Sequence, residues 1–234
     1  MLTVTDLSTG YGESKVLFDV SIRAEQGQIT SLVGSNAAGK TTLLNTICGV
    51  NKAWKGKIEF LGRDITSISP KQRVEMGLIQ CPEGRGLFPT ISVYENLLLG
   101  AYPKRARVKK EKNLAKMLEM FPILQQRRNQ HAGLLSGGEQ QMCSIARALM
   151  ADPVMLIMDE PSLGLAPIIV SKMFEIINSV QREGVTIFLV EQNVQKALSL
   201  ANTGYVLESG KITMRGTGQE LLADNNLRKA YLGI

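Results

Sequence analysis

Cysteine is scarce and scattered: Cys48, Cys81 and Cys143 are the only three, and no two of them form a CxxC pair. An odd, isolated set excludes a disulfide framework and a zinc site, and is expected to supply small core side chains in a reducing compartment. No apolar run approaches the roughly 18 to 20 residues that span a bilayer. The opening MLTVTDLSTG carries an acid where a secretion signal carries basic residues. The chain is therefore expected to be neither inserted nor secreted. Internal repeats and low-complexity linkers are missing too, which argues against solenoids and tethered modules.

What is present suits a folded soluble protein: 44% hydrophobic and 21% charged residues over 234 positions. That length predicts one large domain, residues 1–234, with room for an embedded subdomain. The formal net charge of +6 is compatible with polyanions, nucleotide phosphates or the inner face of a membrane, and decides nothing alone. Lys104, Arg105, Arg107, Lys109, Lys110 and Lys112 open a helical stretch followed by apolar Leu114, Met117, Leu118 and Phe121. A solvated helix face is the first reading of these cations, with lipid or nucleic-acid contact second.

The first third reads as strands, with Val16, Phe18, Val20 and Ile22 alternating, a turn at Gly27, and Ile29 to Val33 running into a glycine. Helical patterns dominate from about residue 90 to 152, punctuated by Pro103, Pro122 and the glycines at 133, 137 and 138. After Pro153 an apolar strand, a helix from about Ile168, a strand over Val185 to Val190 and a helix from about Val194 predict βαβ units and a parallel sheet.

Three motifs carry chemistry. Gly34-Ser35-Asn36-Ala37-Ala38-Gly39-Lys40-Thr41, followed by Thr42, fits G-x-x-x-x-G-K-[ST] after a strand and before a helix. Its backbone N–H groups can wrap phosphate oxygens, Lys40 can reach the β- and γ-phosphates, and the Thr41 hydroxyl can ligate Mg²⁺. A plain strand-to-helix turn has no use for the Lys-Thr pair. The second motif, Val154-Met155-Leu156-Ile157-Met158-Asp159-Glu160, is a buried strand delivering two acids to its C-terminal edge. Asp159 is placed to hold the Mg²⁺ shell, and Glu160 to orient and deprotonate an attacking water.

The third motif is Leu135-Ser136-Gly137-Gly138-Glu139-Gln140-Gln141. Ser136 and Glu139 form a capping box. Two glycines in a first helical turn cost about 1 kcal/mol each relative to alanine, a poor choice unless something must approach the backbone closely. A phosphate is the natural candidate, received by Ser136 and the N–H groups of Gly137 and Gly138.

With these motifs in this order, the whole chain resembles the ABC ATPase family. The resemblance implies an α/β P-loop NTPase fold with a parallel-sheet core, an N-terminal antiparallel β layer and a helical subdomain at about 90–152. It implies ATP and Mg²⁺ as ligands. It also implies a second cassette, identical or different, because in the family the Leu-Ser-Gly-Gly run of one cassette binds the γ-phosphate held by the other. Two transmembrane permease subunits and, indirectly, an extracytoplasmic substrate-binding protein complete the implied assembly, which places the chain peripherally on the cytoplasmic face of the inner membrane. Tyr11 falls where the family stacks an aromatic on adenine.

Departures from the family pattern are informative. Ala37 replaces a common glycine, which is tolerable if its φ is negative. The usual glutamine before the helical insert is replaced by Glu83, in Pro82-Glu83-Gly84-Arg85, and Glu83 becomes a further candidate for the Mg²⁺ shell; Gln80 lies too early. Ser162-Leu163-Gly164-Leu165-Ala166-Pro167 replaces the acidic dimer-contact loop. Gln192, in Val190-Glu191-Gln192-Asn193, stands where most relatives carry a switch histidine, and His131, the only histidine, precedes the Leu-Ser-Gly-Gly run and cannot serve. Gln192 can donate a hydrogen bond to the γ-phosphate or the water but cannot become cationic, so Glu160 must be the base.

These departures together resemble the ATP-binding subunits of branched-chain amino-acid importers. The implied function is ATP hydrolysis driving uptake of branched-chain or other hydrophobic amino acids, with urea or short amides as alternative cargo. A soluble ABC protein acting on nucleic acid or ribosomes is the competing class, supported only by the basic charge. A degenerate nucleotide-binding regulator is argued against by the presence of Lys40, Thr41, Asp159 and Glu160.

Overall fold

The computed structural model describes residues 1–232. Strands β1 (Leu2–Tyr11), β2 (Ser14–Ala24), β4 (Lys55–Phe60) and β5 (Arg63–Asp64) pair antiparallel in the order β2-β1-β4-β5. The second sheet contains β3 (Ile29–Val33), β6 (Leu78–Cys81), β7 (Met155–Asp159), β8 (Thr186–Glu191), β9 (Thr203–Glu208) and β10 (Lys211–Gly216), in the order β10-β9-β3-β8-β7-β6. All of its neighbours are parallel except β10 against β9. The residues of β3, β7 and β8 are buried throughout, as strands covered on both faces must be.

Helix α1 (Lys40–Ile47) leaves the end of β3, and α2 (Pro70–Glu75) precedes β6. Between β6 and β7 the chain is helical: α3 (Val93–Gly100), α4 (Lys104–Arg107), α5 (Lys110–Met120), α6 (Pro122–Gln126) and α7 (Gly137–Met150). The last of these buries Met142, Cys143, Ile145, Ala146 and Met150 against the neighbouring helices and β6. Helix α8 (Pro167–Arg182) connects β7 to β8, and α9 (Val194–Leu200) connects β8 to β9, crossovers that keep the strands parallel. A short helix, α10 (Gly218–Ala223), packs on α9.

The alternation expected along β2 breaks at one residue. Leu17, Val20, Ile22 and Ala24 are buried, whereas Val16 and Phe18 are only half-buried. Asp19 adopts φ +50°, and the register against β1 slips between Leu7 paired with Val20 and Thr9 paired with Leu17. The extra residue is a β-bulge, which exchanges the inward and outward positions beyond it. Ser8 holds the bulge: its hydroxyl donates to Asp19 Oδ1 at 3.2 Å and accepts from the Asp19 N–H at 3.0 Å.

The basic stretch is partly tied down. Lys109 and Arg105 both reach Asp152 Oδ2, at 2.8 and 3.5 Å, and Lys116 pairs with Glu183. All three cysteines are buried and free, and burial pushes the Cys48 thiol up to about 12 and that of Cys143 to about 11, so neither carries a reactive thiolate at neutral pH.

Candidate nucleotide site

The loop between β3 and α1 turns tightly over the sheet edge. Ala38 N–H returns to the Ser35 carbonyl at 3.3 Å, and Gly39 at φ +104° opens α1 from a conformation that a side chain rarely adopts. Ala37 sits at φ +64°, contrary to the negative φ expected of an alanine there. The loop closes its curl with that left-handed residue, and the methyl group is tolerated because Ala37 is exposed.

Lys40 is buried and its ammonium is fully engaged, with the Gly34 and Ser35 carbonyls at 2.9 Å each and Glu160 Oε1 at 3.1 Å. Glu160 follows β7 at φ +45°, with its N–H donating to the Val190 carbonyl on β8 at 2.9 Å. The backbone thus turns out of the sheet as soon as β7 ends and swings the Glu160 carboxylate toward Lys40. Non-glycine residues held in this region carry strain that concentrates at functional sites.

Asp159, one residue earlier, is almost fully buried, and among the described residues its Oδ1 has no hydrogen-bond partner. Burial pushes its carboxyl up to about 6, and the charges of Glu83 and Glu160 add to the rise; a hydrogen bond with Thr41 and the charge of Lys40 oppose it. An orphaned carboxylate oxygen beside the Thr41 hydroxyl and two further carboxylates fits a hard divalent cation such as Mg²⁺. No group of three or more His, Cys, Asp or Glu side chains converges on one point among the described residues. Such an ion would therefore complete its shell with substrate oxygens and water, the usual habit of Mg²⁺ beside phosphates.

A cavity of about 350 Å³ gathers Asn36, Ala37, Gly39, Lys40, Thr41 and Thr42 with Glu83, Glu160 and Gln192. With Val16 of β2, residues from five separate stretches of the sequence thus face one space. Tyr11 stands beside it, half exposed, and accepts a hydrogen bond from Thr42 Oγ1 at 3.4 Å. Ser136, Gly137 and Gly138 are not brought to this cavity. They open α7, where Ser136 Oγ accepts from Glu139 N–H at 3.4 Å and Glu139 Oε2 accepts from Ser136 N–H at 2.7 Å, the capping box read from the sequence. Intrachain packing is tight at both glycines: a Cβ on Gly137 would lie 3.0 Å from the Arg85 guanidinium, and one on Gly138 would lie 3.0 Å from Ile169.

Sequence reasoning left three neighbours of the site without roles. Val16 lines the cavity from β2. Arg85 reaches α7, with Nη1 donating to Gln140 Oε1 at 2.8 Å. Glu191 is buried and accepts from both Ser162 N–H at 2.9 Å and Ser162 Oγ at 2.7 Å, fastening the loop after Glu160 to the strand that ends at Gln192. Burial raises the Glu191 carboxyl and the two Ser162 bonds oppose that rise. A carboxylate in a run of buried strand residues, Val190-Glu191, was the available signal.

Known proteins match this arrangement over the whole chain. A family profile described as ABC transporter matches residues 17–163. The "High-affinity branched-chain amino acid transport ATP-binding protein BraG" of Pseudomonas aeruginosa is 46% identical over 100% of both chains. The "Lipopolysaccharide export system ATP-binding protein LptB" of Haemophilus influenzae is 33% identical over 100% of this chain and 97% of its own. Among solved structures, a nucleotide-free ATP-binding cassette from an ABC transporter superposes with a TM-score of 0.86 at 30% identity, covering 100% of this chain and 99% of that one.

Proposed function

The chain belongs to the ABC transporter family as one of its ATP-hydrolysing cassettes, and from that membership we propose that it drives the import of branched-chain or other hydrophobic amino acids. The cavity that joins Lys40, Thr41, Glu83, Glu160 and Gln192 is the observation that carries the ATPase chemistry. The full-length likeness to BraG supports the cargo class over that of the more distant LptB.

In this reading the glycine-rich loop receives the phosphates, and Lys40 exchanges its contact with Glu160 for the β- and γ-phosphate oxygens. Mg²⁺ held by Thr41 and Asp159, with Glu83 near it, would neutralise charge developing on the transferred phosphoryl group. Glu160, released from Lys40, orients and deprotonates the attacking water, and Gln192 donates a hydrogen bond to the water or the γ-phosphate. Tyr11 offers a ring to adenine.

Cassettes of this family work with membrane permease subunits, and no helix among the described residues is long and apolar enough to cross a membrane. The proposed docking place is a groove of about 430 Å³ beside the Glu83 loop, walled by Val50, Val74, Phe88, Leu99 and Tyr102. Four of these apolar side chains are about half exposed or more, an unusual cluster for a surface without a partner. Ser136, Gly137 and Gly138 lie outside the cavity of their own chain, which supports a second cassette whose γ-phosphate they would receive.

Co-purification with native partners, followed by ATP-dependent uptake of leucine, isoleucine and valine into vesicles carrying the complex, tests the proposal. Accumulation that requires ATP supports it. Partners of another kind, or a complex that takes up none of the three, overturns the cargo assignment.

A further inference from the structure

The turn between β9 and β10 backs the glycine-rich loop. Ser209 at φ +46° and Gly210 at φ +76° reverse the chain there, and the Gly210 N–H donates to the Ala38 carbonyl at 2.9 Å, just before Gly39 and Lys40. The Gly210 carbonyl accepts from the Phe18 N–H at 2.9 Å, two residues from Val16 on the wall of the candidate nucleotide cavity. Ahead of the turn, the Leu207 carbonyl fills the space beside Gly34 that a side chain would need. The loop is therefore seated on this turn near both of its ends, at Gly34 and at Ala38.

The segment after α10 returns to the same turn. Asp224 Oδ1 accepts from the N–H groups of Asn226 at 2.8 Å and Leu227 at 3.0 Å, and Leu227 is buried in the core that α9 shares. The helical turn that follows packs on α9 and brings Tyr231 to Glu208, the last residue of β9, where its hydroxyl donates to Oε1 at 3.0 Å. Burial and the Glu208 carboxylate push the Tyr231 hydroxyl up to about 12, and the backbone N–H of Ser35 opposes that rise. The phenolic oxygen thus faces Glu208 and the start of the glycine-rich loop together, and it keeps its proton at neutral pH. The ring lines a second cavity, of about 510 Å³, with Gln192 and Asn193.

We propose that Tyr231 is a positioning residue for the glycine-rich loop: its hydroxyl holds Glu208, Glu208 fixes the β9–β10 turn, and the turn keeps Gly34 and Ala38 in the curl that receives phosphate. A hydrogen bond to an ionised carboxylate is among the stronger ones a side chain can make. A loop already held in its curl loses less conformational freedom when phosphate arrives, so affinity rises without a further contact to the nucleotide. The inference rests on the nucleotide reading of the cavity. It adds a residue nearly two hundred positions away from the loop, outside every motif that points to phosphate.

The test is an equilibrium titration of the full chain with Mg²⁺ and a non-hydrolysable ATP analogue, paired with hydrogen exchange before nucleotide is added. Tyr231→Phe keeps the ring and removes only the hydroxyl. It should weaken binding by about three- to tenfold and speed exchange of the 34–40 amides, while the 225–230 amides exchange as in wild type because Leu227 still anchors them. Glu208→Ala should match it, Glu208→Gln should recover part of the affinity because its amide oxygen still accepts the hydroxyl, and Tyr231→Phe/Glu208→Ala should be no weaker than either single variant. Glu208→Ala reaches the same contact from its other side and so serves if Tyr231→Phe does not fold. Wild-type affinity in Tyr231→Phe or Glu208→Ala overturns the proposal. Faster exchange at 225–230 in Tyr231→Phe overturns it too, since the hydroxyl would then anchor its own segment rather than the loop. A wild-type chain that does not bind the analogue overturns the nucleotide reading and this inference with it.

Discussion

Lys40 Nζ stands 3.1 Å from Glu160 Oε1, with both side chains withdrawn from solvent. The ammonium and the carboxylate to which the proposed hydrolysis assigns different tasks are thus paired with each other. On the proposed mechanism, phosphate oxygens entering the loop would compete with Glu160 for Lys40, so that substrate binding and release of the base would be one exchange.

Lys40→Ala removes the cation and leaves Glu160 facing Asp159 and Glu83 without compensation. Loss of charge-assisted bonds of this kind costs about 2 to 5 kcal/mol, and Mg-ATP affinity should fall by about a hundredfold or more, with turnover lost. An equilibrium titration with unchanged affinity would remove Lys40 from the phosphate site.

Glu160→Gln keeps the side chain's shape but cannot take a proton from water. ATP binding should persist while hydrolysis stops, and paired cassettes should accumulate with ATP trapped between them. Single-turnover hydrolysis near the wild-type rate would show that another group activates the water.

Asp159 should make the nucleotide-free chain pH-sensitive. Its carboxyl is raised from 3.8 to about 6, so the folded chain holds that proton more tightly than the unfolded chain does. The associated stability is fully present below 3.8 and is lost as pH rises through about 6. At neutral pH the buried charge is a cost, so Asp159→Asn should raise the unfolding free energy of the nucleotide-free chain by roughly 1 to 3 kcal/mol. The same variant should lose Mg²⁺-dependent turnover. Chemical denaturation across this pH range checks the slope, and a variant less stable than wild type at neutral pH would contradict the burial argument.

Gln192 lines the same cavity as the glycine-rich loop and can offer one positioning hydrogen bond. Such a bond to a charged group is worth about 1.5 to 3 kcal/mol, so Gln192→Ala should slow turnover by very roughly ten- to a hundredfold. Gln192→His should retain activity and bring a titration near neutral pH into the rate profile. Wild-type turnover by Gln192→Ala in the partner-bound complex would reduce Gln192 to a start for α9.

The sequence by itself determined what depends on short spacing. Gly34 to Thr41 predicts a strand-to-helix turn suited to phosphate, and the structure has that turn between β3 and α1; the apolar run into Asp159 and Glu160 announces a buried strand with acids at its edge. The Ser136–Glu139 capping box is equally local. The tertiary structure decided the rest. The left-handed φ of Ala37 follows from how the loop closes over the sheet, and the β2 phase follows from a bulge that Ser8 stabilises across the strand pair. Arg85 meets Gln140 across 55 residues, and Ser162 meets Glu191 across 29. No periodicity encodes such pairs. They form because the order β3-β8-β7-β6 sets the ends of separate strands side by side, and buried polar groups there must find partners wherever the sheet has placed them.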